Sequence, residues 1–163
     1  PKVVDGNTVS DPSRDLLKLT VVNRYQEAPP AVAFVRSFGF RHGAIAGSVA
    51  HDSHNVVAVG TTDQEICDAV NAVIENRGGL AAVDGSTVQT LPLPIAGLMS
   101  TQSCEEVAEA YQRLDRTAKA LGCPLQSPFM TLSFLALLVI PSLKLSDRGL
   151  FDGDRFEFVD LFV

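Results

Sequence analysis

A chain of 163 residues with 46% hydrophobic content is long enough to bury one proper core and too short for two ordinary domains. Its formal charge of -6 comes from acidic and basic residues dispersed along the chain, which excludes the electrostatic footprint of a nucleic acid polymer or of an anionic membrane surface. The odd set Cys67, Cys104 and Cys123 has no C-x-x-C spacing, and the longest apolar run falls far short of the roughly 20 residues needed to span a bilayer, so reduced thiols in the cytoplasm are expected. No secretory leader is expected either, and the opening Pro1-Lys2, in place of methionine, suggests a piece of something longer.

Residues 1–15 are polar and turn-rich and read as a linker or the end of a preceding domain, which puts the domain proper at 16–163. Strands are predicted over 16–25 and 31–38, separated by Glu27-Ala28-Pro29-Pro30, where two prolines interrupt regular structure. Apolar runs at 44–50 and 56–60 then predict a hairpin with Asp52-Ser53 as its two-residue turn. Thr62 and Glu65 have the spacing of a capping box, Ile66, Ala69, Val70, Val73 and Ile74 recur at helical period, and Gly78-Gly79 supplies a left-handed exit. A second hairpin is predicted from 80–83 and 87–91 around Asp84-Gly85-Ser86, with Pro92 and Pro94 ending it. Ser103 and Glu106 form another capping box, and Val107, Tyr111, Leu114, Ala118 and Leu121 hold one stripe of a helix that Gly122 ends. Ser127-Pro128 opens a short buried helix that must stop before Pro141, although periodicity alone also allows a buried strand, and Met130 and Thr131 on it read as core. Residues 155–163 alternate as a sheet strand does. Hairpins mixed with helical crossovers predict an α/β fold, a single-domain sandwich with a mixed, hairpin-containing β-sheet covered by helices.

Three runs carry a resemblance. Arg41-His42-Gly43-Ala44-Ile45-Ala46-Gly47-Ser48-Val49-Ala50-His51-Asp52-Ser53-His54-Asn55 is the first, and Leu91-Pro92-Leu93-Pro94-Ile95-Ala96-Gly97-Leu98-Met99-Ser100 the second. The third is Pro128-Phe129-Met130-Thr131-Leu132-Ser133-Phe134-Leu135-Ala136-Leu137, with Ile140-Pro141 and Leu143-Lys144-Leu145 after it. In that order and spacing the chain resembles the C-terminal domain of bacterial adenine deaminase, in the amidohydrolase superfamily. The resemblance implies a longer enzyme in which a metal-bearing barrel, with Mn or Fe, converts adenine and water to hypoxanthine and ammonia. This smaller domain would follow the barrel. A His-x-His pair, with which the family's metal site begins, does not occur here, so the resemblance implies no cofactor held by this chain and an accessory role packed on the barrel of the same polypeptide. A small-molecule purine is the implied ligand, and a homo-oligomer is left open. The alternative, of another class, is a free-standing small-molecule-binding or assembly module without catalysis. A small independent hydrolase built on His51, Asp52 and His54 ranks last.

The candidate site residues are Ser48, His51, Asp52, Ser53, His54 and Asn55, which gather imidazoles, a carboxylate, hydroxyls and an amide between two apolar runs. In a two-residue hairpin His51 and His54 would lie opposite each other with Cβ atoms about 5 Å apart, converging on one ligand. The functional reading has this tip contact the purine edge or close the barrel's mouth against water. The bland reading is a turn capped by its own Asp and Ser. A metal set of His51, Asp52 and His54 is a third reading, weakened because structural zinc wants four ligands and the cysteines lie far off in sequence. Ser48 stands in a run of small residues that admits a close backbone or a flat ligand, with close sheet-helix packing as the commoner cause. His42 reads as a surface turn residue, and 95–100 as an irregular apolar loop that lines an interface or folds back on the core.

Overall fold

Side chains that alternate along the strands feed two separate cores, and this sets the layering of the molecule. The computed structural model describes residues 2–162. Its main sheet has six strands: β3 (Leu17–Val22), β4 (Ala31–Val35), β5 (Ala44–Gly47), β6 (Val56–Gly60), β7 (Gly79–Asp84) and β8 (Thr87–Pro92), in the order β4-β3-β6-β5-β7-β8. Along β6, Val56 and Ala58 face one side while Val57 and Val59 face the other, as a period of two requires.

On the first side lies helix α1 (Asp63–Glu75), whose Ile66, Ala69, Val70 and Val73 pack on Ala44, Ala46, Ala58 and Ala81. Alanines on the sheet let the helix axis come close, which accounts for Ala44 and Ala46 in the run of small residues; Ala50 faces the other core, and Gly47 leaves room for the Leu80 side chain. On the second side lie α2 (Cys104–Ala120), α3 (Pro128–Phe134) and a three-stranded sheet of β9 (Leu143–Ser146), β10 (Gly149–Asp152) and β11 (Glu157–Val159). Leu114, Leu121, Phe129, Leu132 and Leu145 from these elements bury fully against Leu17, Ile45, Val59 and Leu91. Each such side chain contributes about 1.5–3 kcal/mol by leaving water.

The expected α/β sandwich of hairpins and helices is the observed architecture, but every strand pairing among the described residues is antiparallel, so the sheet does not mix strand directions. Helix α1 carries the chain from β6 over β5 to β7, two strands that run the same way, and the ladder stays antiparallel because β5 lies between them. Two hairpins go beyond the sequence expectation. Residues read as linker include β1 (Lys2–Val4) and β2 (Asn7–Val9), and β9 pairs with β10 across a tight turn. The expected strand over 155–163 is confined to β11, with Val163 outside the described residues. Asp152 explains the delay: its carboxylate accepts the N–H groups of Asp154 and Arg155, and Phe156 follows at φ 57, so ladder pairing resumes only at Glu157.

Helix ends show which capping arguments carry through. The Ser103/Glu106 box on α2 forms in both directions. At α1, Thr62 accepts the Glu65 N–H at 3.2 Å, yet the Glu65 carboxylate reaches across to the Gly43 N–H at 2.7 Å and to the hydroxyls of Thr61 and Thr62. Burial works to raise this carboxyl's pKa, but those bonds outweigh it and hold the group below its ordinary 4.5. The α1 exit is left-handed one residue earlier than expected, at Arg77 with φ 60, and the Gly78 N–H closes onto Val73 O at 2.8 Å. Ser127 precedes the proline of α3 without a side-chain cap bond.

Candidate functional site

The loops at one end of the main sheet build the site. Strands β5 and β6 pair as a hairpin, with Ala46 opposite Ala58 and Gly47 opposite Val57, but pairing stops there. The connection is therefore the whole of 48–55, and Asp52-Ser53 is not a two-residue turn between paired strands. Gly47 and Ser48 end the strand because Ser48 turns inward: fully buried, its hydroxyl accepts the Gly79 N–H at 2.8 Å and donates to Gly97 O at 2.6 Å. The Ser48 N–H adds a bond to Gly79 O at 2.9 Å. Ser48 thus ties the hairpin to β7 and to the loop 95–99, and its hydroxyl spends its one proton on backbone in a fully buried place.

His51 and His54 do converge, by the curl of the loop rather than across a strand pair. Their ring centroids lie 5.9 Å apart at 64°, and His51 also meets Phe134 of α3 at 5.2 Å. The curl is held by the His54 N–H on Ala50 O at 2.7 Å, with His54 at φ 53, and by the His51 N–H on Ser133 O at 3.2 Å. Asp52 and Ser53 form the exposed tip. Ser53 O accepts the Tyr25 hydroxyl at 2.8 Å, and buried Asn55 uses its Oδ1 to accept the Arg24 N–H at 3.1 Å. Of the six candidates, Ser48 and Asn55 are brought inside as anchors, while His51, Asp52, Ser53 and His54 stand together at the surface or half-buried.

Residues outside the expected set complete this end. Arg24 lays its guanidinium over the Tyr25 ring at 5.4 Å and donates to Ala96 O at 2.9 Å. Gly97, at φ 75, has no room for a Cβ because Arg24 occupies that space. Arg24 Nη1 and His54 Nδ1 are buried without a hydrogen-bond partner among the described residues. Met130 on α3, expected in the core, is 53% exposed, and Phe134 one turn on is 39% exposed. Helix α3 buries Phe129 and Leu132 instead and turns this face outward beside His51. The one advance signal for this was the irregular apolar loop 95–100; Arg24 and Tyr25, at the close of an ordinary strand pattern, gave none.

The chemistry available is that of a recognition face, with imidazole edges, a phenol and apolar side chains. Among the described residues no group of three or more His, Cys, Asp or Glu side chains could hold a metal ion, so the set His51, Asp52 and His54 does not assemble. Mn or Fe has no fitting site in these residues. The cysteines are unpaired, Cys67 and Cys104 exposed, and burial pushes the Cys123 thiol up. No helix is long and apolar enough to cross a membrane.

A family model described as the adenine deaminase C-terminal domain matches residues 1–157. Among curated proteins the chain is 63% identical over 161 residues to an adenine deaminase of Salinibacter ruber, 98% of this chain and 29% of that protein. It is 54% identical over 163 residues to an adenine deaminase of Methanosarcina mazei, 100% of this chain and again 29% of the relative. An adenine deaminase of Clostridium botulinum is 46% identical across 99% of the chain and 27% of its own length. The chain spans under a third of the length of the curated relatives it matches.

Proposed function

We propose, from the premise that the chain belongs to the adenine deaminase C-terminal domain family, that it serves as the accessory domain of an adenine-deaminating amidohydrolase, packed on a catalytic barrel of the same polypeptide. The observation that carries this reading is coverage: the whole chain aligns with adenine deaminases while accounting for 29% of their length. The polypeptide's reaction would be adenine plus water giving hypoxanthine and ammonia, with Mn or Fe held by the barrel. In this reading residues 1–15 lead from the barrel and 16–163 form the domain. Buried Ser10, which accepts the Lys18 N–H and donates to Gly60 O, pins that lead to the sheet. A cytoplasmic setting belongs to the same reading and is supported by the unpaired thiols.

The face that meets the barrel is the end of the sheet bearing His51, His54, Tyr25, Phe134 and Met130. Support comes from its exposed apolar side chains beside half-buried imidazoles, the composition of an interface core with a polar rim. There His51, Asp52, Ser53 and His54 would present imidazole edges and the loop tip to the purine or seal the site from water, while Ser48 and Asn55 hold the loop in shape.

The test is ammonia release from adenine, with Mn²⁺ or Fe²⁺ supplied, by the 163-residue chain and by the chain joined to its upstream polypeptide. Turnover only in the longer protein is expected, together with a loss on the order of tenfold or more in Met130→Glu/Phe134→Glu, whose charges would have to be buried on docking. Turnover by the short chain would overturn the accessory reading. Full activity in the double variant would move the docking face elsewhere.

A further inference from the structure

A cavity of about 350 Å³ opens where β3 ends, β6 begins and α1 passes to β7. Its apolar wall is Val22, Val56, Val73 and Ile74, and its charged groups are Arg24 and Arg77. No carboxylate lines it, in a chain where acidic residues outnumber basic ones 19 to 13. Neither arginine makes an ion pair among the described residues, whereas Lys18, Lys119 and Arg155 each have one.

We propose that this cavity is an oxyanion site, taking a carboxylate or phosphate group between Arg24 and Arg77 with an adjoining apolar body against Val56 and Val73. Two guanidiniums present planar forks whose geometry matches such oxygens. Arg77 is not spent on capping α1, because the carbonyls there are already served. Ala72 O accepts Asn76, Val73 O accepts the Gly78 N–H and Ile74 O accepts the Arg77 N–H. Arg24 places one guanidinium nitrogen on Ala96 O and leaves Nη1 buried without an acceptor. Leaving such a group unmet costs about 1–3 kcal/mol, more when charged, so an acceptor drawn in beside it recovers a cost already present. The site shares Arg24 with the end of the sheet that carries Tyr25 and the histidine loop, and a titration of the 163-residue chain tests it without any barrel present. The acceptor is either a diffusible anion or an Asp or Glu side chain of the upstream polypeptide.

The experiment is a titration of inorganic phosphate, and in parallel acetate, into the ¹⁵N-labelled 163-residue chain at low ionic strength, followed by amide shifts. Saturable shifts centred on Arg24, Val56, Arg77 and Gly78 are expected, weakened on the order of tenfold in Arg77→Gln and unchanged in Arg116→Gln on α2. Arg77 is exposed, so its variant keeps the fold, and Arg24→Lys provides the second test of the fork. Absence of saturable shifts at these amides, or an identical titration in Arg77→Gln, overturns the proposal. In the chain joined to its upstream polypeptide, a persisting phosphate response assigns the site to a diffusible anion. A response present in the short chain and lost in the long one assigns it to the polypeptide's own carboxylate.

Discussion

Replacing Ser48 by alanine separates an anchor from a ligand-binding group. The hydroxyl is wholly buried and satisfies two backbone groups that have no alternative in the surrounding contacts, the Gly79 N–H at 2.8 Å and Gly97 O at 2.6 Å. Alanine leaves both unmet in a place water does not reach. At about 1–3 kcal/mol for each orphaned group, with some relaxation of the loop, the expected destabilisation is about 2–4 kcal/mol. Urea unfolding with a slope near 2 kcal/mol/M would register this as a midpoint lowered by about 1–2 M at unchanged slope. Heating would show a melting temperature lower by roughly 5–15 °C. Cysteine at the same position, close in size but a weak donor, should fall between the two. If Ser48→Ala unfolds within about 0.5 kcal/mol of the parent, the hydroxyl does not carry these bonds and the loop is held by something else.

Glu65 predicts an acid limb. Its folded-state pKa lies below the ordinary 4.5, so the stability it confers is complete above that value and is lost as pH falls through the depressed folded pKa. The parent and Glu65→Gln should therefore differ in denaturation midpoint at pH 7 and converge as pH falls below 4.5 and through the depressed folded-state value; a constant difference throughout would contradict the assignment. Gly97→Ala forces a side chain at φ 75 into the space of the Arg24 guanidinium and should cost about 1–3 kcal/mol. Amide shifts in that variant should move at Arg24, Asn55 and Ser48 together; changes restricted to residues 95–99 would show that the loops are not coupled.

Much of the fold could be read from periodicity. The strands around 17–22, 31–35, 56–60, 79–84 and 87–92 declare themselves as short apolar or alternating runs between turn residues, and the helices after Thr62 and Ser103 by one buried stripe behind a cap. The extra hairpins were hidden for opposite reasons. Strands β1 and β2 are short and mostly exposed, so no alternation marks them, and β9 follows an apolar stretch whose pattern suits a helix equally well. The site was half legible. The grouping of His51 to Asn55 was visible as composition, and the rings do meet, but a loop's curl depends on bonds to Ser133, Tyr25 and Arg24 that lie far along the chain. Met130 misled because a short apolar helix gives too few turns to say which face is inward.

Arg24 links the two surfaces argued above, and that link carries an energetic consequence. Through Asn55 it braces the histidine loop, through Ala96 it braces the loop that Ser48 anchors, and it lines the cavity it shares with Arg77. In the isolated chain the unmet Arg24 Nη1 and His54 Nδ1 are net costs, each about 1–3 kcal/mol. Anything that supplies hydrogen-bond partners to them binds the folded state and not the unfolded one, and it stabilises the domain by mass action. The proposed barrel on the same polypeptide would do so at an effective concentration in the millimolar range, so docking need not be tight per contact to be nearly complete. The domain joined to its upstream polypeptide should then unfold at higher denaturant than the 163-residue chain, and Arg24→Leu should narrow that gap by lowering the joined protein more than the isolated one. Equal losses in both would mean that Arg24 serves the fold alone.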